Sequence, residues 1–393
     1  MNVESTYGAH NYHPIPVVIA KAQGIHVWDP EGKKYIDMLS CYSALNQGHR
    51  HPKIIKAATK QMGRVTLTSR AFYNDRLGPF LKKLTALAGM EMALPMNTGA
   101  EAVETGIKLA RRWAYRIKKV PEGNAEIITC ASNFHGRTTT IIGFSTDEDS
   151  RNGFGPFTPG FKVIPYNDIQ ALEAAITPNT AAFLVESIQG EAGVIIPSEG
   201  YLKQVREICT KNNVLLMLDE IQTGFCRTGK MFCFQHEGIK PDILLVAKAL
   251  GGGLMPISAV LSSKEIMSVF TPGSHGSTFG GNPLACAIGM AALDVLIDEK
   301  LDERSAKLGA YFMKRLKELN NPMFKEIRGK GLLIAVDLQK EAGPARKYTE
   351  ALMRNGLLAK ETHEKTIRFA PPLIIKKAEI DKAIMIIRKT FTQ

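Results

Sequence analysis

From about residue 95 to residue 300, short apolar runs bounded by turn residues alternate with stretches of helical spacing, and this alternation restricts the chain most. The runs are EIITCAS (126–132), AAFLVES (181–187), VLLMLDE (214–220), DILLVAK (242–248) and ISAVLSS (257–263). Between them lie helical segments such as YLKQVREICTKN (201–212). The pattern predicts an α/β fold with a mostly parallel sheet flanked by helices. Beyond residue 300 it changes. A charged helix (303–319), GLLIAVDL (331–338), a helix at about 344–355, TIRFAPPL (366–373) and a final helix (376–391) predict a smaller α+β domain. The first fifty residues, rich in Gly, Pro and His, read as an arm with a few strands. The expected division is 1–53 as arm and small-domain segment, 54–299 as large domain, and 300–393 as C-terminal small domain.

The 393 residues carry a net charge of +12 and a pI near 9.3. The basic residues are scattered apart from KLARRWAYRIKK (108–119). That run falls on a predicted helix whose Val103, Ile107, Ala110, Ala114 and Ile117 share one face, so its charges belong to the solvated side. The balance favours attraction of anionic small molecules over nucleic acid. The six cysteines form no CxxC pair and read as reduced, mostly buried thiols of a cytoplasmic protein. MNVESTYGAHNYHP has no signal-peptide pattern, and no run of ~18 apolar residues suggests a membrane span.

Two charged residues sit where charge is costly. Asp219 ends the apolar run VLLMLD, and Lys248 ends LLVAK before three glycines (251–253). A carboxylate at a strand's carboxyl end in an open α/β sheet faces the usual ligand crevice and needs a positive partner. A partly desolvated lysine has a lowered pKa and is suited to Schiff-base chemistry. On these residues alone, a lysine snorkelling from the strand end is an equally good reading. Together the two fit pyridoxal phosphate, which takes a lysine and an acidic partner for its pyridine nitrogen. Ile221, two residues beyond Asp219 on the same strand face, is placed to pack beneath the ring. Glu220 faces the other way and calls for a separate partner. NTGAEA (97–102) offers helix N-terminal amides to a phosphate or a plain N-cap at Asn97 or Thr98. NFHGRT (133–138) sets Phe, His and Arg at the sheet edge, where each has an ordinary structural reading too. GFCRTGKM (224–231) resembles a phosphate loop but lacks the Ser or Thr after its lysine, and HRH (49–51) is too sparse for a metal site.

LLMLDEIQTGFCRTGK, LLVAKALGGGLMP and HGSTFGGNPLACA (275–287) resemble, in this order, the signature of class III pyridoxal-phosphate aminotransferases. The likeness runs through essentially the whole chain. It implies a fold-type I homodimer with a seven-stranded large domain, a smaller C-terminal domain and shared active sites. It further implies pyridoxal 5'-phosphate held by Lys248, with Asp219 on the pyridine nitrogen, Gln222 on the phenolic oxygen and Phe134 stacked on the ring. Gly99 and Ala100 would offer amides to the phosphate, and Ser277 and Thr278 would reach it across the dimer interface. Ser187 and Cys226 replace a proline and a glycine usual in the family, with altered loop rigidity or oxidation sensitivity as the largest expected effect.

Residues 8–54 are similar to the branch of the family that acts on ornithine, moving its δ-amino group to 2-oxoglutarate. That resemblance assigns the ornithine carboxylate to Arg137, the α-amino end to Tyr12, and a pocket wall to Tyr42. Glu191 would pair with Arg368 while ornithine is bound and release it to grip the α-carboxylate of 2-oxoglutarate. The alternatives are another ω-aminotransferase acting on acetylornithine or 4-aminobutyrate and, more remotely, a non-catalytic basic binding protein on the same fold.

Overall fold

The computed structural model describes residues 1–392. Its centre is a seven-stranded sheet whose spatial order is Met92–Met96, Ser258–Ser262, Ile243–Val246, Leu215–Asp219, Thr180–Glu186, Glu126–Cys130 and Phe161–Ile164. Every residue of the Thr180–Glu186, Leu215–Asp219 and Ile243–Val246 strands is buried. Helices cover both faces, so these strands read as unbroken apolar runs rather than alternating ones. Ser258–Ser262 alone runs against its two neighbours, pairing Ala259 with Val246 and Ser258 with Met96.

Two strands of this sheet escape the sequence pattern. Phe161–Ile164 lies at one edge, largely unburied, with Lys162 inside it. Met92–Met96 lies at the other edge and contains Pro95, which only an edge strand or a bulge tolerates readily. The helix after NTGAEA spans Gly99–Trp113 and opens with a capping box between Thr98 and Glu101. Val103, Ile107, Ala110 and Ala114 are buried as expected, but Ile117 is exposed. A π turn at Ala114–Lys118 lengthens the last turn and rotates Ile117 off the apolar face.

The smaller part contains an antiparallel sheet ordered Phe324–Lys330, Leu333–Leu338, Thr366–Phe369 and Lys360–Thr362. The helices Leu301–Lys317, Arg346–Arg354 and Lys377–Phe391 accompany it. Phe324–Lys330 does not read as a strand in sequence because it is charged and half exposed. A third sheet joins Lys21–Gln23, His26–Trp28 and Lys34–Asp37 to Leu357–Leu358, so the N-terminal segment is tied to the C-terminal part by a parallel pair. Among the described residues no helix is long and apolar enough to cross a membrane.

This topology places the crevice. Strand Glu126–Cys130 leads outward to Phe161–Ile164, whereas its neighbour Thr180–Glu186 leads the opposite way to Leu215–Asp219. The loops leaving their carboxyl ends therefore diverge, and the gap between them is the switch point where such sheets bind ligands.

Candidate active site

At the carboxyl edge of the sheet a cavity of about 560 Å³ collects Asp219, Lys248, Phe134, Ile221, Gln222 and Glu191 around one space. Gly99 and Ala100 form part of the same wall. The partner for the Asp219 carboxylate within the chain is His135, whose Nδ1 lies 2.7 Å from Oδ2. Oδ1 accepts the Ile221 amide at 2.9 Å. Ile221 thus stands in the turn after the strand, which stops at Asp219, and not on the strand face expected for it. Its side chain still reaches the cavity, packed close to Gly99, where a β-carbon would lie 3.2 Å from Ile221 Cδ1.

Burial alone would lower the His135 pKa, but the hydrogen bond and charge of Asp219 outweigh it and raise it. Asp219 is therefore oriented and keeps free lone pairs toward the cavity. Beside them Glu186, also in the cavity wall, accepts the amides of Phe134 at 3.0 Å and Gly190 at 3.2 Å. Burial pushes its carboxyl up to about 7, with His135 opposing and Asp219 adding to the shift. Glu220, left without a partner by sequence reasoning, faces the other side. It accepts the amides of Cys233 at 2.6 Å and Phe234 at 2.7 Å, opening the short helix Cys233–His236, and the Ser187 hydroxyl at 3.1 Å. The residue that replaces a proline thus supplies a buried hydrogen bond. Cys226 occupies a left-handed conformation (φ 72°) and is fully buried, which shields it from the oxidation expected of it.

Lys248 directly follows Ala247 at the end of its strand region and adopts φ 45°, a left-handed conformation uncommon outside glycine. Among the described residues, no hydrogen bond or ion pair holds Nζ. Burial lowers its pKa, opposed by the carboxylates of Glu191 and Asp219. An amine so placed is nucleophilic. The helix Gly99–Trp113 points its first amides at the same cavity, and its positive end suits a phosphate. His135 Nε2 is buried without a partner. A free amine, an anchored carboxylate, a half-exposed phenyl face at Phe134 and a helix N-terminus fit pyridoxal phosphate.

The Arg368 guanidinium, 1% exposed, enters from the Thr366–Phe369 strand. Its Nη1 donates to Glu191 Oε1 at 2.7 Å, Gly190 O at 3.3 Å and Gln222 Oε1 at 3.4 Å. Burial would raise the Glu191 pKa, but the charge and hydrogen bond of Arg368, with Lys248 and Gln222, hold it below the usual value. Gln222 Nε2 donates to Glu191 Oε1 at 2.9 Å. Gly190 is required here, since a β-carbon would fall 1.7 Å from Gln222 Oε1. Gly190→Ala is expected to push Gln222 off Glu191 and lower kcat/KM by roughly 10²-fold, measured by steady-state kinetics, with the fold intact by circular dichroism.

The Tyr42 ring lies under Arg368, 4.8 Å from the guanidinium carbon. Its backbone belongs to a run of four non-glycine residues with positive φ, from Ser40 at 45° to Ser43 at 73°. Such a left-handed turn costs about 1–2 kcal/mol per residue. Tyr12 and Tyr42 line a neighbouring cavity of about 620 Å³, and Cys41 lines both spaces. Tyr12 is 78% exposed. Arg137 is exposed outside the Lys248 cavity, bonded to Ser150 at 3.3 Å with its guanidinium 5.7 Å from the Phe134 ring. Ser277 and Thr278 do not line the cavity of their own chain; Ser277 Oγ instead accepts from Asn97 at 2.8 Å and the Gly280 amide at 3.0 Å.

The sequence profile of aminotransferase class III matches residues 7–391. The chain belongs to the class-III aminotransferases. A relative from Brevibacillus brevis, described as ornithine aminotransferase, is 66% identical over 378 residues, covering 96% of this chain and 94% of its own. A solved ornithine aminotransferase from Toxoplasma gondii superposes with a TM-score of 0.98 at 48% identity, covering 100% of this chain and 93% of that one. Its active site holds pyridoxal phosphate at partial occupancy. An acetylornithine aminotransferase from Elizabethkingia anophelis superposes with a TM-score of 0.90 at 50% identity, covering 100% and 97%. The cofactor of this class-III aminotransferase is pyridoxal 5'-phosphate, in keeping with the chemistry of the cavity.

Proposed function

We propose that this chain transfers the δ-amino group of ornithine to 2-oxoglutarate, giving glutamate 5-semialdehyde and glutamate. The observation that carries the reading is the Glu191–Arg368 pair in the wall that holds Lys248. A site for both a diamino acid and a dicarboxylate must hide its strongest cation from one and show it to the other. Glu191 neutralises Arg368 while the carbon bearing the δ-amine, which has no carboxylate, is presented. Opening the pair exposes a fork of donors to the α-carboxylate of 2-oxoglutarate. Arg137 is assigned the ornithine carboxylate and Tyr12 its α-amino end, with Tyr42 as a wall. Both Arg137 and Tyr12 are exposed in the isolated chain, which suits a site completed by a second copy. The homodimer, with Ser277 and Thr278 serving the partner's phosphate, is part of this proposal. The cytoplasmic location is part of the proposal, and the six free thiols are of the kind a reducing compartment keeps. The semialdehyde product cyclises, which would connect arginine breakdown to proline synthesis.

When bound, pyridoxal phosphate supplies a protonated ring that accepts the electron pair left on the amine-bearing carbon. Lys248 Nζ would hold the cofactor's aldehyde and, once released, move the proton at that carbon. Asp219 would keep the pyridine nitrogen protonated, with His135 orienting the carboxylate. Gln222 would meet the phenolic oxygen, Phe134 and Ile221 would bracket the ring, and Gly99 and Ala100 would offer amides to the phosphate.

The rival substrate is N-acetylornithine, because a relative that acts on it shares half its residues with this chain. Single-turnover spectra of the yellow enzyme with each amine, without an oxo acid, decide between them. Bleaching by ornithine, with a pyrroline trapped by an aldehyde reagent, supports the proposal, whereas bleaching by N-acetylornithine alone refutes it. Glu191→Ala is expected to bind 2-oxoglutarate roughly tenfold more tightly, because no closed pair competes, and to slow the ornithine half-reaction. Stopped-flow measurement of each half-reaction separates the two effects.

A further inference from the structure

We propose that Arg227 is a positioning residue for the amino-acceptor half of the reaction: it clamps the left-handed turn Ser40–Ser43 against Ala370 and Pro371, just beyond the strand of Arg368, and so fixes where Arg368 and Tyr42 meet. This inference rests on the two-substrate reading of the Glu191–Arg368 pair.

Arg227 is fully buried, and its guanidinium bonds to uncharged groups from three chain segments. Nη1 donates to Pro371 O at 2.7 Å and Leu332 O at 2.9 Å. Nη2 donates to Asn46 Oδ1 at 2.5 Å and Ser40 Oγ at 3.0 Å. Ser40 Oγ in turn donates to Ala370 O at 2.6 Å, so one hydroxyl ties the clamp to both sides of the seam. The Ala370 amide donates to Met38 O at 2.7 Å and the Leu373 amide to Asn46 O at 2.9 Å. Asp37 Oδ1 accepts the amides of Leu39 and Ser40, both at 2.8 Å, and so caps the entrance to the strained turn. Two residues past Ser40 comes Tyr42, whose ring Arg368 covers.

The charge is expensive and specific. Burial pushes Arg227 down to about 9, and the like charge of Arg368 adds to the shift while Asp37 opposes it. A scaffold needing only packing would place an apolar side chain here, since buried unpaired charge costs stability. A planar fork meeting four acceptors fixes relative position as well as distance.

The clamp matters unequally in the two half-reactions. With Glu191 in place, Arg368 is held by Glu191, Gly190 and Gln222. Once Glu191 leaves, the fork loses its shortest bond and keeps only the longer ones to Gly190 O and Gln222 Oε1, so its aim leans more on its own strand and on the Tyr42 ring. Arg227 holds the chain that flanks both, at Ser40 before Tyr42 and at Pro371 after the strand of Arg368.

The test uses Arg227→Lys, which keeps the charge but cannot span four acceptors, and Ser40→Ala, which removes one anchor. Both holoenzymes are measured for glutarate binding by calorimetry, for thermal stability, and for each half-reaction by stopped-flow. The expected result is weaker glutarate binding and a higher 2-oxoglutarate KM, roughly tenfold for Arg227→Lys and less for Ser40→Ala. The ornithine half-reaction, in which Glu191 still holds Arg368 and Tyr42 serves only as a wall, should lose clearly less than the 2-oxoglutarate half-reaction. Equal losses in both half-reactions, or a fall in melting temperature with unchanged glutarate binding, would overturn the proposal. If Arg227→Lys does not fold, Ser40→Ala alone decides on the same criteria. A wild-type enzyme that ignores ornithine would refute the substrate reading, while the glutarate arm would still measure Arg227.

Discussion

Lys248→Ala is expected to lose transamination by about 10⁴-fold or more, because the proposal gives the same amine both the cofactor's aldehyde and the proton transfer. The purified variant should lose the yellow band while retaining the seven-stranded fold. The backbone supplies an internal control. Lys248 sits at φ 45°, where glycine rests without penalty and alanine does not. Lys248→Gly should therefore be as inactive as Lys248→Ala yet melt at a higher temperature. An alanine variant that retained more than a few per cent of wild-type turnover would remove Lys248 from its assigned role.

Asp219→Asn is expected to lower kcat by roughly 10³-fold, since it removes the charge proposed to meet the ring nitrogen while keeping the side chain's volume. A second readout is the dependence of stability on pH. In the wild type Asp219 raises the His135 pKa above 6.5. A raised histidine contributes stability that is full below pH 6.5 and is lost as pH climbs through the folded value. Asp219→Asn should shrink that portion of the loss, measured as melting temperature against pH. An activity loss without any change in this profile would separate the catalytic carboxylate from the His135 interaction.

Much of this site is visible in the sequence because buried charge has few cheap explanations. Asp219 and Lys248 end apolar runs, and the structure brings both into one cavity. Glu186 carried the same signal, a carboxylate closing a fully buried seven-residue strand, and it too lines the cavity, though sequence reasoning passed over it. His135 was visible as a residue but not as a partner, since the pairing with Asp219 joins two separate strand ends. The central strands are legible because burial on both faces makes them uniformly apolar. Phe161–Ile164 and Met92–Met96 are not, because edge strands meet solvent and tolerate Lys162 and Pro95. The turn at Ser40–Ser43 leaves no trace in composition. Four left-handed residues without a glycine are held by Asp37 nearby and by distant groups such as Arg227, and neither leaves a mark in the local sequence pattern.

The lone reversed strand, Ser258–Ser262, has a consequence for how this chain can change. A parallel successor to Ile243–Val246 would need a long excursion to return to the same edge. The reversal lets the chain come straight back, so the reactive amine, its glycines and the wall at Met255–Ile257 occupy one short hairpin-like cassette. Both ends of that cassette are pinned by strand register, with Val246 opposite Ala259. A single inserted residue would have to be taken up between these two fixed ends, beside Lys248. Lineages sharing this architecture should vary in length almost anywhere before they vary between residues 247 and 257.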